Sequence, residues 1–191
     1  MIRDLLLAPN QITLLRLIFV PLIVICVVDS EWRWALALFV AAGLSDGLDG
    51  LLARKLHQQS LLGQYLDPIA DKLLLSSLFL VLSFLNKIPW RYTVLVLSRD
   101  ICIVLTVAVL FAVGSYRDFR PSIFGKLNTA AQVGALFFIL VFQVSQHRWT
   151  YWTTRGLLWL TFALTLTSGI HYVFLTGARM RQPQARGSAA R

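Results

Sequence analysis

Apolar residues dominate long stretches of this chain, and short polar breaks separate them at near-regular intervals. The runs cover about 11–29, 34–53, 67–86, 90–113, 125–145 and 155–176. Each is close to the roughly 20 residues that a helix needs to cross the hydrocarbon of a bilayer. Lipid offers no partner to an unpaired backbone N–H or C=O, so every run is expected to be a helix. The expected fold is an all-α integral membrane protein of six transmembrane helices. The segment before the first run carries Arg3 and Asp4 beside Leu5, Leu6 and Leu7 and stops at Pro9. It reads as a short interfacial helix or as a frayed terminus. The apolar run that follows exceeds the h-region of a signal peptide and has no small-residue cleavage pattern behind it, so it is expected to be retained as a span.

Composition agrees with the pattern. The chain is 57% hydrophobic and only 14% charged, with a mean hydropathy of +0.68. So few charges do not cover a water-facing surface of this size, which excludes a soluble cytoplasmic enzyme. The net charge of +9 would suit nucleic acid, but its placement does not. Basic residues sit between the apolar runs and on the tail, so no nucleic-acid partner is expected. With the N-terminus inside, the cytoplasmic side receives Arg3, Arg54, Lys55, Arg117, Arg120, Lys126 and the tail arginines. The outer side receives Arg33, Lys87, Arg91, Arg148 and Arg155, together with Trp32, Trp34, Trp90, Trp149, Tyr151 and Trp152 as an aromatic belt. That bias places both termini in the cytoplasm, and the absence of an Arg- and Ser-rich transit segment points to a bacterial inner membrane. Residues 1–178 are expected to form one membrane domain, and 179–191 a basic disordered tail near anionic headgroups. Cys26 and Cys102 lie in apolar runs, where small thiols are ordinary, and form no metal or disulfide framework.

Acid residues stand where lipid should forbid them. Asp46, Asp49, Asp67 and Asp71 fall at or within the ends of two apolar helices, and an intramembrane carboxylate is by default a functional group. The first two are three residues apart and the second two are four apart, so each pair shares a helical face. Four converging carboxylates repel one another unless cations intervene. Hard oxygen donors suit Mg²⁺ or Mn²⁺, and four Asp fit a two-ion cluster able to clamp a phosphoryl group during in-line displacement. The alternative from another class is a cation channel or transporter, whose acids would be spread through several spans rather than gathered on two. Gly47, Gly50, Ala53 and Gly63 keep the helix surfaces thin enough for a diphosphate to approach. Arg54 either pairs with a phosphate or marks the cytoplasmic end of its helix.

These residues carry a resemblance. The run Asp46-x2-Asp49-Gly50-x2-Ala53-Arg54-x8-Gly63-x3-Asp67-x3-Asp71 is similar, without a gap, to the signature of the CDP-alcohol phosphatidyltransferase family. The likeness extends from "PNQITLLRL" through "LSRD" to "GKLNTAAQ". It implies a six-helix bundle, usually a homodimer, with a polar cavity facing the cytoplasmic leaflet. It further implies that Asp46, Asp49 and Asp67 are metal ligands, that Asp71 lies at the metal site as general base, and that Gly50, Ala53, Arg54 and Gly63 hold the CDP moiety. The implied donor is CDP-diacylglycerol, the implied cofactor two Mg²⁺ or Mn²⁺ ions, and CMP the leaving group.

The acceptor rests on fewer residues. Arg99 and Asp100 form an intramembrane pair that either neutralises itself or supplies Arg99 to an acceptor phosphate. Asn10, Thr13 and Arg16 near the first helix, with Lys126 and Asn128 on the fifth, are the other polar candidates. The chain resembles both phosphatidylglycerophosphate synthases and CDP-diacylglycerol-dependent cardiolipin synthases. The former carry Arg-Glu and a further Arg on the fourth helix, where this chain has Arg99-Asp100 followed by "ICIVLTVAV". The expectation is sn-glycerol 3-phosphate as acceptor, with phosphatidylglycerol as the alternative. A noncatalytic protein that keeps the fold is the remaining reading.

Overall fold

The structure, a computed structural model, describes the backbone of residues 8–56, 61–112 and 123–180, and side chains over 15–45, 72–102 and 125–167. Six helices account for nearly all of it: α1 Ala8–Val28, α2 Trp32–Leu56, α3 Leu61–Phe84, α4 Trp90–Ala112, α5 Ile123–Ser145 and α6 Arg148–Met180. Each apolar run in the sequence became one helix. The helices extend past the hydropathy limits at several ends, most clearly at Leu61 and Arg148, because backbone hydrogen bonding continues through polar residues once a turn has formed. α1 starts at Ala8, so Pro9 stands in its first turn, where a missing N–H leaves no bond unmade. The segment expected to lie on the interface is otherwise outside the described residues. α6 runs to Met180, past the expected boundary at 178, and 181–191 are also outside the described set.

Three tight connections gather at one end of the bundle, and each turns through a left-handed residue: Ser30 at φ 61°, Asn86 at φ 55° and Gln146 at φ 53°. In the first, the N–H of Glu31 reaches back to the Cys26 carbonyl at 2.8 Å, and in the second that of Lys87 reaches Leu82 at 2.8 Å. These bonds cap otherwise orphaned carbonyls in the Schellman manner. The strain of a side chain at positive φ, about 1 kcal/mol, is tolerated because the closed turn satisfies the helix end. Cations stand over aromatic rings at this end: Lys87 over Trp32 at 5.4 Å, Arg91 over Tyr92 at 5.1 Å, and Arg155 over Tyr151 at 5.7 Å. They are the residues that the charge pattern assigns to the outer interface.

α1 packs on α2 and α3, α5 packs on the same two helices as well as on α6, and α4 bridges α3 and α6. The core is built from Ile23, Val27, Phe39, Leu78, Phe79, Leu82, Leu136 and Leu140. Outside it, the usual burial rule is inverted. Arg16, Thr93, Asn128 and Gln132 are buried, whereas Ile18, Leu22, Ile25, Trp34, Leu44 and Trp149 are exposed. Leu15, Ile18, Leu22 and Ile25 make one apolar stripe along α1. A surface of this kind is solvated by lipid tails rather than water, so the protein is membrane-associated. Among the described residues, 125–145 is long and apolar enough to cross a bilayer by itself, and Leu15–Val28, Trp32–Ser45 and Lys72–Phe84 are shorter apolar stretches. The last two stop where the described side chains stop, at the motif.

Candidate active site

The aspartate motif occupies the last turns of α2 and the first turns of α3, joined by residues 57–60. Asp49 and Asp46 lie seven and ten residues before Leu56, and Asp67 and Asp71 lie six and ten after Leu61. At 1.5 Å per residue both pairs sit about 10 to 15 Å along their helices from the link. α1 and α5 each touch both of these helices, so the two pairs belong to the same end of the bundle and to comparable depth. That register, together with four hard carboxylate donors, fits a divalent cation site. The side chains of Asn10, Thr13, Asp46, Asp49, Gly50, Ala53, Arg54, Gly63, Asp67 and Asp71 are outside the described set. Among the described residues no group of three or more His, Cys, Asp or Glu stands together.

Directly beside the motif is a cavity of about 910 Å³. α2 contributes Phe39, Val40, Gly43 and Leu44, the last of these two residues before Asp46. α3 contributes Lys72, the residue after Asp71, and α4 contributes Arg99. One face of α5 supplies Gly125, Lys126, Thr129, Ala130, Val133, Gly134 and Phe137. The opposite face of α5 is buried; there Asn128 accepts a hydrogen bond from Thr165 of α6 at 2.9 Å. The width of the cavity follows from small residues: a methyl group added at Gly43 would meet none of the described residues within 4 Å. Among the described residues its charged lining is cationic, and most of the wall is apolar.

Arg99 and Asp100 behave as a pair that also serves the cavity. Nη1 of Arg99 donates to Oδ1 of Asp100 at 2.7 Å, and both side chains are 7% exposed. Lys72 donates to the same oxygen at 2.5 Å and is 32% exposed. Two cations from two helices therefore converge on one carboxylate oxygen. Of the acceptor candidates read from the sequence, Arg99 and Lys126 line the cavity. Arg16 is buried in α1 and absent from that wall, and Asn128 ties α5 to α6 instead. Sequence reasoning missed Lys72; its position next to Asp71 inside an apolar helix was the available signal.

Residues 6–167 match the family described as CDP-alcohol phosphatidyltransferase. The chain belongs to that family. Within the family it is similar to the human protein named cardiolipin synthase (CMP-forming), with 33% identity over 145 residues, 65% of this chain and 47% of that protein. It is also similar to a Mycobacterium tuberculosis protein named probable phosphatidylglycerophosphate synthase, with 37% identity over 135 residues, 66% of this chain and 62% of the other. The Arabidopsis thaliana CDP-diacylglycerol--glycerol-3-phosphate 3-phosphatidyltransferase 1 is 32% identical over 177 residues, 84% of this chain and 59% of that one. The chain thus spans about half to three-fifths of the length of these relatives. The family match spans the motif on α2 and α3, and the relatives carry the names of both synthases that the sequence resembles.

Proposed function

We propose that this phosphatidyltransferase moves a phosphatidyl group from CDP-diacylglycerol to the hydroxyl of sn-glycerol 3-phosphate, giving phosphatidylglycerophosphate and CMP. The observation that carries the reading is a cavity with cationic polar groups lying against the Asp46 to Asp71 motif. Lys72, Arg99 and Lys126 suit a dianionic phosphate, with Arg99 offering a planar fork of donors. Lys72, coming from α3, also takes the place of the second base that α4 lacks after Arg99.

Asp46, Asp49, Asp67 and Asp71 are the residues that would hold Mg²⁺ or Mn²⁺, two ions for four carboxylates. Bound cations there supply charge neutralisation at the donor's diphosphate. Gly50, Ala53, Arg54 and Gly63, on the same helix ends, would hold the CDP moiety. Asp71 takes the proton of the acceptor hydroxyl; the freed oxygen attacks the phosphorus that bears diacylglycerol, and the bond from that phosphorus to CMP breaks. The bundle crosses the bacterial inner membrane six times as a homodimer, with the aspartate end in the cytoplasm. The Lys and Arg bias and the aromatic cations at the opposite end support that orientation.

A second reading takes phosphatidylglycerol as acceptor and cardiolipin as product. The apolar part of the wall, Phe39, Val40, Leu44, Val133 and Phe137, favours it, since acyl chains would fit there. Radiolabelled CDP-diacylglycerol with purified protein in detergent, Mg²⁺ or Mn²⁺, and each acceptor in a separate tube decides between them. Metal-dependent CMP release with glycerol 3-phosphate is expected. Release with phosphatidylglycerol alone transfers the assignment to cardiolipin synthesis, and release with neither overturns the reaction.

A further inference from the structure

We infer that Asp100 is a positioning residue for acceptor recognition: it holds Lys72 of α3 and Arg99 of α4 side by side, so that both present their positive charge to the phosphate of the acceptor. The inference rests on the cavity being the acceptor site.

The geometry separates Asp100 from the cations it holds. Lys72 and Arg99 line the cavity, and Asp100 does not; its carboxylate stands in the wall behind them, buried at 6% exposure. Oδ1 receives both donors, Nζ of Lys72 at 2.5 Å and Nη1 of Arg99 at 2.7 Å. Oδ2 is buried without a hydrogen-bond partner, and so is Nε of Arg99. The pair is therefore joined through single atoms rather than as a closed two-bond fork. Arg–carboxylate pairs frequently use both oxygens and two parallel N–H groups. The shared oxygen brings the Lys72 ammonium and the Arg99 guanidinium to one atom and restrains the long, entropic Lys72 side chain. Among the described residues, Lys72 and Arg99 are the charged groups that α3 and α4 present to the cavity, and α5 adds Lys126. Without Asp100, Lys72 and Arg99 would repel each other and separate.

The test compares Asp100→Asn, Asp100→Glu and Lys72→Gln with wild-type protein in detergent. Steady-state kinetics give KM for glycerol 3-phosphate and for CDP-diacylglycerol separately, and calorimetry gives the affinity for inorganic phosphate. Asp100→Asn is expected to raise the acceptor KM and the phosphate Kd about tenfold, with the donor KM unchanged and kcat within about threefold. Asp100→Glu restores most of the affinity. If Asp100→Asn does not fold, Lys72→Gln carries the comparison, since Asp100 keeps Arg99 as partner, and it raises the same two constants. Wild-type phosphate binding that weakens in these variants without any CMP release supports the clamp while refuting the reaction. A parallel rise in both KM values, an unchanged phosphate affinity, or wild-type protein that binds no phosphate overturns the inference.

Discussion

Removing the carboxylate of Asp100 should destabilise the bundle far more than removing the ammonium of Lys72. In Asp100→Ala, Arg99 stays 7% exposed with no counter-charge, beside Lys72, which had approached the same oxygen. Breaking a buried pair from one side costs about 3 to 5 kcal/mol, because the partner's desolvation is left uncompensated. The lower figure applies here, since Lys72 is about one-third exposed and its flexible stem can carry the ammonium toward water. Asp100→Asn, which keeps one acceptor oxygen, should lose about half as much. Lys72→Met leaves Asp100 paired with Arg99 and removes a solvent-screened contact, so its effect should stay within about 1 kcal/mol. Replacing Arg99 and Asp100 together by Leu should bring stability back to within about 1 kcal/mol of wild type. Unfolding in mixed micelles, followed by tryptophan fluorescence, measures all four variants. A midpoint for Asp100→Ala equal to that of Lys72→Met would refute the reasoning, because the carboxylate would then not be compensating a buried charge.

Four further outcomes follow from the same structure. Asp71→Asn should lower CMP release by about a hundredfold or more while leaving folding and CDP-lipid binding intact, as expected for loss of a general base; cation flux that survives the change would favour the transport reading. Gly43→Phe should put a ring into the cavity that Gly43 lines and abolish acceptor-dependent turnover; Gly134→Ala, whose Cβ would meet Leu157 at an ordinary 3.9 Å, should be neutral or stabilising by up to about 1 kcal/mol. At the other end of the bundle, Ser83 and Thr93 share a 2.5 Å contact between hydroxyls, and Thr93 donates to the Phe79 carbonyl at 3.1 Å. A double-mutant cycle of Ser83→Ala with Thr93→Val should give a coupling of about 0.5 to 1.5 kcal/mol in thermal unfolding, and additive effects would show the contact to be idle.

What could be read in the sequence was whatever has a short period. The helices α1 to α6 follow from apolar runs, and the pairing of Asp46 with Asp49 and of Asp67 with Asp71 follows from offsets of three and four on a helix. The Arg99-Asp100 pair was visible because its members are neighbours. Its third member was not, since Lys72 lies 28 residues away on another helix, and no local pattern encodes which faces of α3 and α4 meet. The same limit misplaced Asn128. Its proximity to Lys126 suggested the acceptor site, but on a helix a two-residue step turns by about 200°, which sends Asn128 toward Thr165 and leaves Lys126 at the cavity. The inner wall of Phe39, Leu44, Val133 and Phe137 was equally illegible, because an apolar residue facing a cavity and one facing lipid look alike in a sequence.

With the cavity taken as the proposed acceptor site, its cations have to be kept ready for a substrate that is absent most of the time. A lone buried guanidinium among apolar helices would be strongly unfavourable, so a phosphate site formed only from bases would tend to open or collapse whenever it is empty. Pairing Arg99 and Lys72 with a carboxylate behind them removes most of that penalty in the empty state. Among the described residues, the charged side chains that line the cavity are then Lys72, Arg99 and Lys126, with Asp100 outside the lining. The apolar wall then strengthens the attraction for an arriving phosphate, since few water dipoles compete for it. An acid that weakens the gross attraction to the substrate is on this argument what makes the cationic lining possible in lipid. That is why its removal is expected to loosen acceptor binding, although it subtracts a negative charge from an anion site.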